Sequence, residues 1–164
     1  MKHKLPTILA ALAILTLASC KFSDNRQAAL TAADVFHQQY NEAKFAEIYK
    51  AATPDFQKGT TEAQFIQSMR DAQRQLGKFL SSSRTGLAYN TQKSKNLSTG
   101  SGWQSKSITT VAFTYQSQFE RGAAVEKLTF EVSGEKAQLQ ECTIEPSAPA
   151  GGRTKPATRP KELL

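Results

Sequence analysis

The chain has 164 residues, with 21 Lys and Arg against 14 Asp and Glu, and a formal net charge of +7 at pH 7. The positive excess is concentrated in a C-terminal stretch without aromatic residues, which argues against nucleic-acid binding. With only two His and two Cys, and no CxxC, HExxH, Walker or dinucleotide-binding motif, the sequence predicts no metal, no cofactor and no catalytic residue.

Residues 1–19 have the layout of an export signal. Lys2 and Lys4 form a basic start, and the run from residue 5 to residue 18 carries no charge. A membrane-spanning helix needs about 20 apolar residues, so this shorter run predicts a removable signal peptide rather than a permanent span.

The next motif, Leu17-Ala18-Ser19-Cys20, resembles the bacterial lipobox at each of its positions. The resemblance implies cleavage between Ser19 and Cys20, a lipid on Cys20 and a short tether over 20–24. Two or three acyl chains anchor a protein stably, whereas one does not. An ordinary secretory signal followed by a chance cysteine is the competing interpretation.

Position 21 indicates which membrane the lipid enters. Lys21 stands where enteric lipoproteins retained in the inner membrane carry Asp. The predicted location is therefore the outer membrane, facing the periplasm, and the inner membrane is the alternative.

Two helices are predicted over residues 24–52. Asp24 and Gln27 have capping-box spacing and would start the first helix. A break near Asn41 separates it from a shorter second helix, which Pro54 terminates. The apolar positions recur at helical spacing, at Ala29, Ala33, Phe36 and Tyr40 and then at Phe45, Ile48, Tyr49 and Ala52.

The third predicted helix has the clearest limits. Thr61 and Gln64 form a capping box, and Gly77 occupies the position of a C-terminal cap. Between them runs one apolar stripe, Phe65, Met69, Ala72 and Leu76.

After Gly77 the pattern changes to the alternation of strands. Residues 78–92 predict a polar strand and residues 93–102 a loop. Two strands joined by a turn at 119–123 follow, and a turn at 133–136 leads to the last strand. In that strand Leu139, Cys142 and Ile144 change parity, which predicts a bulge near Gln140 and Glu141.

This order predicts an α+β domain over 25–145, with N-terminal helices packed on a curved three or four-stranded antiparallel sheet. The stretches FHQQYNEAKFAEIYKAATPDF and YQSQFERGAAVEKLTFEV, with the helix exit at Leu76-Gly77, resemble the nuclear transport factor 2-like, cystatin-like cone domains, in particular the uncharacterised small lipoproteins of that superfamily. The resemblance implies a cone that stays filled, holds a small molecule, or forms a homodimer through the sheet.

The candidate pocket residues come from that resemblance. Related enzymes of the ketosteroid isomerase and scytalone dehydratase types place Asp, His or Tyr inside the cone. The comparable residues here are Asp34, His37, Tyr40, Tyr89 and Tyr115. They align with neither enzyme motif, so they are candidates for a pocket rather than for catalysis.

Three further features allow two interpretations each. Trp103 follows Gly100-Ser101-Gly102 and is either displayed at the sheet rim as a partner contact or buried. Cys142 is either a small buried apolar residue or a cross-link between two copies. The basic, Pro-rich tail over 146–164 is expected to be disordered, as a solvated segment or as a strap on anionic lipid or cell wall.

The sequence therefore predicts a non-enzymatic, membrane-anchored periplasmic module that binds a protein or envelope component. An inhibitor or immunity lipoprotein and an accessory of an envelope assembly are two versions of this hypothesis. Small-molecule binding or sensing in the cone is the alternative, and an isomerase or dehydratase is the third.

Overall fold

The computed structural model describes residues 16–96 and 104–147, and their side chains over 23–92 and 108–147. Helices precede a four-stranded antiparallel sheet of order β1-β2-β3-β4, so the predicted α+β class is confirmed. The elements of this part of the chain are α1 (Thr16–Asn41), α2 (Phe45–Ala51), α3 (Pro54–Gly59), α4 (Glu62–Leu76), β1 (Phe79–Asn96), β2 (Gln104–Phe119), β3 (Gly122–Ser133) and β4 (Lys136–Pro146).

The helical layer differs from the prediction at two places. The first helix begins at Thr16, so its predicted start at Asp24 is wrong, and the predicted tether over 20–24 lies within α1. Pro54 begins α3 instead of only ending α2, because the Thr53 hydroxyl accepts a hydrogen bond from the Phe56 amide (3.2 Å) and Pro is well suited to a first helical position.

The limits predicted for the third helix are confirmed in α4. The Gln64 amide donates to the Thr61 hydroxyl (3.3 Å), and the Thr61 amide donates to the Gln64 side-chain oxygen (3.1 Å). The helix ends at Gly77, whose φ of +82° is one that glycine adopts readily.

The sheet confirms the two predicted turns and the bulge. Thr129 pairs with Glu141 and Phe130 with Leu139, which leaves Gln140 as the extra residue. The predicted loop over 93–102 is wrong at its start, because β1 continues to Asn96 in register with β2. The rest of that loop, and Trp103, lie outside the described residues.

The core lies between α1 and the inner faces of β2 and β3. Alternate residues of these strands are buried, as a sheet with one covered face requires. Each fully buried large apolar side chain contributes about 1.5–3 kcal/mol relative to exposure. The largest fully buried apolar side chains are Tyr40, Phe113, Phe130, Leu128 and Val111.

Gly77 joins the helical layer to the sheet in a crowded place. A Cβ at this position would lie 2.8 Å from the Glu120 Cβ, in the turn between β2 and β3. The Arg121 amide donates to the Leu76 carbonyl (2.8 Å), and the Lys78 amide donates to the Glu120 carboxylate (3.0 Å). Hydrogen bonds therefore connect the C-terminal end of α4 to the β2–β3 turn.

We expect Gly77→Ala to lower the free energy of unfolding by about 2 kcal/mol, because it adds a strained φ to a steric clash. Urea unfolding measures the change. Gly59→Ala is the matched control, since a Cβ there meets nothing within 4 Å, and it should leave stability nearly unchanged. Equal unfolding midpoints for the two variants would contradict the prediction.

Candidate functional site

A carboxylate lies in the interior of the domain. Glu126 occupies an inward position of β3, directly opposite Tyr115 on β2 and Ile144 on β4. Only 1% of its surface is exposed. Burying a carboxyl group without partners is costly, so its contacts decide whether the interior tolerates it.

His37 and Ser117 supply those contacts. The His37 Nε2 lies 3.1 Å from Glu126 Oε2, and the Ser117 hydroxyl donates to the same oxygen. The other oxygen, Oε1, is buried and has no hydrogen-bond partner among the described residues. The cluster thus connects α1, β2 and β3 through one carboxylate oxygen.

Aromatic rings enclose the histidine. The His37 ring stacks on Phe79, with centroids 3.8 Å apart and planes inclined by 3°. Tyr115 meets it edge-on at 6.1 Å. This packing holds the imidazole in the orientation that directs Nε2 to Glu126.

The predicted pocket residues separate into two groups. His37, Tyr40 and Tyr115 are buried in the core, and burial raises the pKa of Tyr115 to about 12 and that of Tyr40 well above its ordinary value. The Tyr40 hydroxyl donates to the Gly77 carbonyl (3.4 Å). Tyr89 lies apart on β1, where its hydroxyl accepts a hydrogen bond from the Asn25 amide (3.0 Å).

Glu126 and Ser117 were not among the site residues predicted from the sequence. The signal for Glu126 was its position two residues before Leu128, on the parity that the apolar residues of β3 follow. Ser117 has the same parity as Phe113 and Tyr115 in β2. Polar residues at inward positions of a strand therefore marked the cluster, although pairing across 89 residues was visible only in the structure.

The geometry of the cluster favours a structural role over catalysis. Nucleophilic catalysis by serine needs a hydrogen bond between its hydroxyl and a base such as histidine. Here Ser117 and His37 both contact the Glu126 carboxylate instead. A surface depression of about 590 Å³ has His37, Asp34 and Phe79 among its lining residues, and Glu126 is not one of them. Within the described residues no cluster of His, Cys, Asp or Glu could hold a metal.

The space between α1 and the inner face of the sheet is occupied by side chains. Phe36, Phe113 and Phe130 are each buried, and the Phe113 and Phe130 rings lie 6.4 Å apart. Arg84 extends over the Phe113 ring, 5.7 Å from its centroid. These side chains fill the space between α1 and the inner face of the sheet.

A groove of about 940 Å³ lies between α1 and the β3–β4 end of the sheet, and it is here named the α1–β4 groove. Val35, which is 46% exposed, lies on its helical wall. Its charged lining residues are Asp24, Glu135 and Lys136. Its apolar lining consists of Ala28, Ala32, Val35, Phe36, Ile48, Ala51, Phe130, Ala137 and Leu139.

The chain has two cysteines, Cys20 and Cys142. The backbone of Cys20 is part of α1, and its side chain lies outside the described residues. Cys142 is partly buried on β4 opposite Leu128, and burial raises the pKa of its thiol well above the usual range. Because the thiolate is the reactive form, Cys142 is a poor candidate for a cross-link between copies.

None of the helices in the described ranges is both long and apolar enough to cross a membrane. Comparison with protein-family models, curated proteins and solved structures finds no match to this chain. The function is therefore inferred from the residues of this chain.

We expect His37→Phe to lower the free energy of unfolding by about 3 kcal/mol, because it keeps a ring on Phe79 but leaves Glu126 without its main partner. The double variant His37→Phe/Glu126→Leu should recover part of that loss, since it replaces both members of the buried pair by apolar groups but leaves the buried Ser117 hydroxyl without its acceptor. Denaturant unfolding with a double-mutant cycle measures the coupling. Additive effects would show that the two side chains do not stabilise one another.

Proposed function

We propose that this chain is a lipid-anchored lipoprotein of the outer membrane, facing the periplasm, whose α+β domain is a non-enzymatic binding module. Its partner is a protein or another envelope component, as expected for an inhibitor or for an accessory of an envelope assembly. The motif Leu17-Ala18-Ser19-Cys20 supports the anchor, and the domain that follows supports binding.

One observation carries the binding proposal: the Glu126 carboxyl group and the Ser117 hydroxyl are buried in the interior of the domain, whereas its α1–β4 groove is mainly apolar. Glu126 contacts His37 and Ser117 beneath packed aromatic rings. An enzyme of the isomerase or dehydratase type needs such a carboxylate beside its substrate. The α1–β4 groove instead offers an apolar surface with a few charges at its rim.

The course of α1 relates the predicted anchor to this groove. Cys20 precedes Asp24 by about one helical turn, and Asp24 lines the groove. Ala28, also in the groove wall, lies about 12 Å along the axis from Cys20. A lipid on Cys20 would hold this end of the domain close to the membrane surface.

A small apolar ligand is the second candidate, and the size of the α1–β4 groove favours it. Ligand sites commonly measure about 300–1,000 Å³ and are mostly apolar with a few polar groups. The groove, at about 940 Å³, falls within that range. This candidate places the ligand at the rim of the cone and not in its interior.

We expect Cys20→Ala to release the protein from the membrane fraction, because the variant has no thiol to carry the lipid. Fractionation, combined with mass measurement of the amino-terminal peptide, tests the anchor. Crosslinking and affinity capture from native membranes then test binding, with Cys20→Ala as background. An amino-terminal peptide without acyl groups in the unsubstituted protein would refute the anchor, and capture no greater than background would refute the protein-partner proposal.

We expect the α1–β4 groove to bind Nile red, a neutral apolar dye, and Val35→Asp to reduce the bound fluorescence at least about fivefold by placing a charge in the groove wall. Leu80→Asp is the matched control, because Leu80 is 62% exposed and lies outside the groove. Equal loss in both variants would show that the dye does not report on the groove. Native mass spectrometry of the purified protein then distinguishes a retained small ligand from an empty groove.

A further inference from the structure

The two edges of the sheet are built differently. At the β4 edge the Thr53 amide donates to the Leu139 carbonyl (2.9 Å), and the Gln138 side chain donates to the Ala51 carbonyl (3.2 Å). The bulge at Gln140 and the proline at its end, Pro146, further interrupt this edge. Such features prevent another strand from pairing with a sheet edge.

Among the described residues, comparable features of the β1 edge are confined to its first part, where the Asn41 side chain donates to the Phe79 carbonyl (2.9 Å) and accepts from the Phe79 amide (2.7 Å). In the described part of the chain β1 pairs with β2 alone, so its other side has no neighbouring strand. After irregularities at Leu80 and Thr85, residues 86–92 run in unbroken register with β2. This segment, GLAYNTQ, contains neither a charged residue nor proline. It presents a regular row of backbone groups to a further strand.

Apolar side chains accompany the open edge. Of the four large apolar side chains that are most exposed among those described, three are on β1: Leu80 at 62%, Leu87 at 41% and Tyr89 at 36%. Leu87 and Tyr89 pair with Phe113 and Val111, whose side chains form the core, so they lie on the inner face of the sheet. Helix α1 packs mainly on β3 and β4, which leaves this part of the inner face incompletely covered.

The charge of β1 indicates the chemistry of its partner. The strand carries Arg84, Lys93 and Lys95 and no carboxylate. An extended segment with acidic residues would complement these cations, whereas a second copy of β1 would bring the same cations against them. Exposed charge pairs of this kind act mainly on specificity and association rate.

We propose that the β1 edge over residues 86–92 binds an extended segment of a protein partner by β-strand addition, and that this segment alternates apolar with acidic residues. Backbone hydrogen bonds to the edge would provide affinity, and the alternate apolar side chains would cover Leu87 and Tyr89. The inference names the surface and partner chemistry of the proposed binding function and rests on that proposal. It does not depend on the lipid anchor.

The test uses the full chain, extracted from whichever cell fraction contains it, and a phage-displayed library of linear peptides of about twelve residues as the probe. We expect selection to enrich peptides with alternating apolar and acidic residues. A synthetic peptide of the enriched pattern should slow amide hydrogen exchange of residues 86–92 at least about fivefold, because those amides gain a partner.

Matched variants of β1 then test the contacts. Asn90 is exposed, so Asn90→Glu and Asn90→Lys differ in charge without disturbing the core. We expect Asn90→Glu to weaken the selected peptide about threefold to fivefold and Asn90→Lys to preserve or strengthen its binding. Leu87→Ser should weaken binding by about fivefold through loss of apolar contact. Val35→Asp, in the α1–β4 groove, should change nothing.

Five results would overturn the inference. Selected peptides that lack acidic residues would contradict the proposed chemistry of the partner. Peptides that are weakened by Val35→Asp and not by the β1 variants would move binding to the groove and leave the binding-module proposal standing. Failure to enrich any peptide would argue against strand addition. Dimerisation that protects residues 86–92 would assign the edge to a second copy. If residues 86–92 are already protected without peptide, and truncation after Ser147 removes that protection, the β1 edge would be assigned to the tail of this chain.

Discussion

The contact between His37 and Glu126 is the interaction on which the rest of the domain depends, because it joins the helix to the sheet at a single buried oxygen. A carboxylate at an inward position of β3 can be tolerated only where a donor reaches it. The His37 Nε2 reaches Glu126 Oε2 only when α1 crosses the sheet at one position and with one rotation about its axis. The Ser117 hydroxyl likewise reaches Glu126 only in one register of β2 against β3. A buried polar contact of this kind contributes less to net stability than to the choice of one arrangement over its alternatives.

The position of α1 determines which surfaces remain open. Helix α1 packs on β3 and β4, and one side of it forms the α1–β4 groove together with the β3–β4 turn. The same placement leaves the inner face at β1 incompletely covered, with Leu87 and Tyr89 partly exposed. The groove and the β1 edge are therefore two consequences of one packing arrangement. Both lie outside an interior that is filled by aromatic side chains.

The helical connection between α1 and α4 accounts for the asymmetry of the sheet edges. Tyr49 donates to the carbonyl of Thr60 (2.8 Å), and the rings of Phe56 and Phe65 meet edge-on at 5.5 Å. These contacts hold the connection in place beside β4, where Thr53 reaches the Leu139 carbonyl. At β1 the described contacts of this kind are at its first residue, where the Asn41 side chain bonds the Phe79 amide and carbonyl. An available sheet edge next to apolar side chains is a surface suited to strand addition.

The sequence by itself determined the features whose causes are local. The capping box of Thr61 and Gln64, the glycine exit at Gly77, the two hairpin turns and the bulge at Gln140 depend on neighbouring residues, and so does the α+β order of the elements. Only the tertiary structure decided that His37, Ser117 and Glu126 meet, since periodicity marks a residue as inward without naming its partner. Tertiary structure also decided that β1 continues to Asn96. Hydrogen bonds to β2 stabilise these polar residues as a strand, although their composition is typical of a loop.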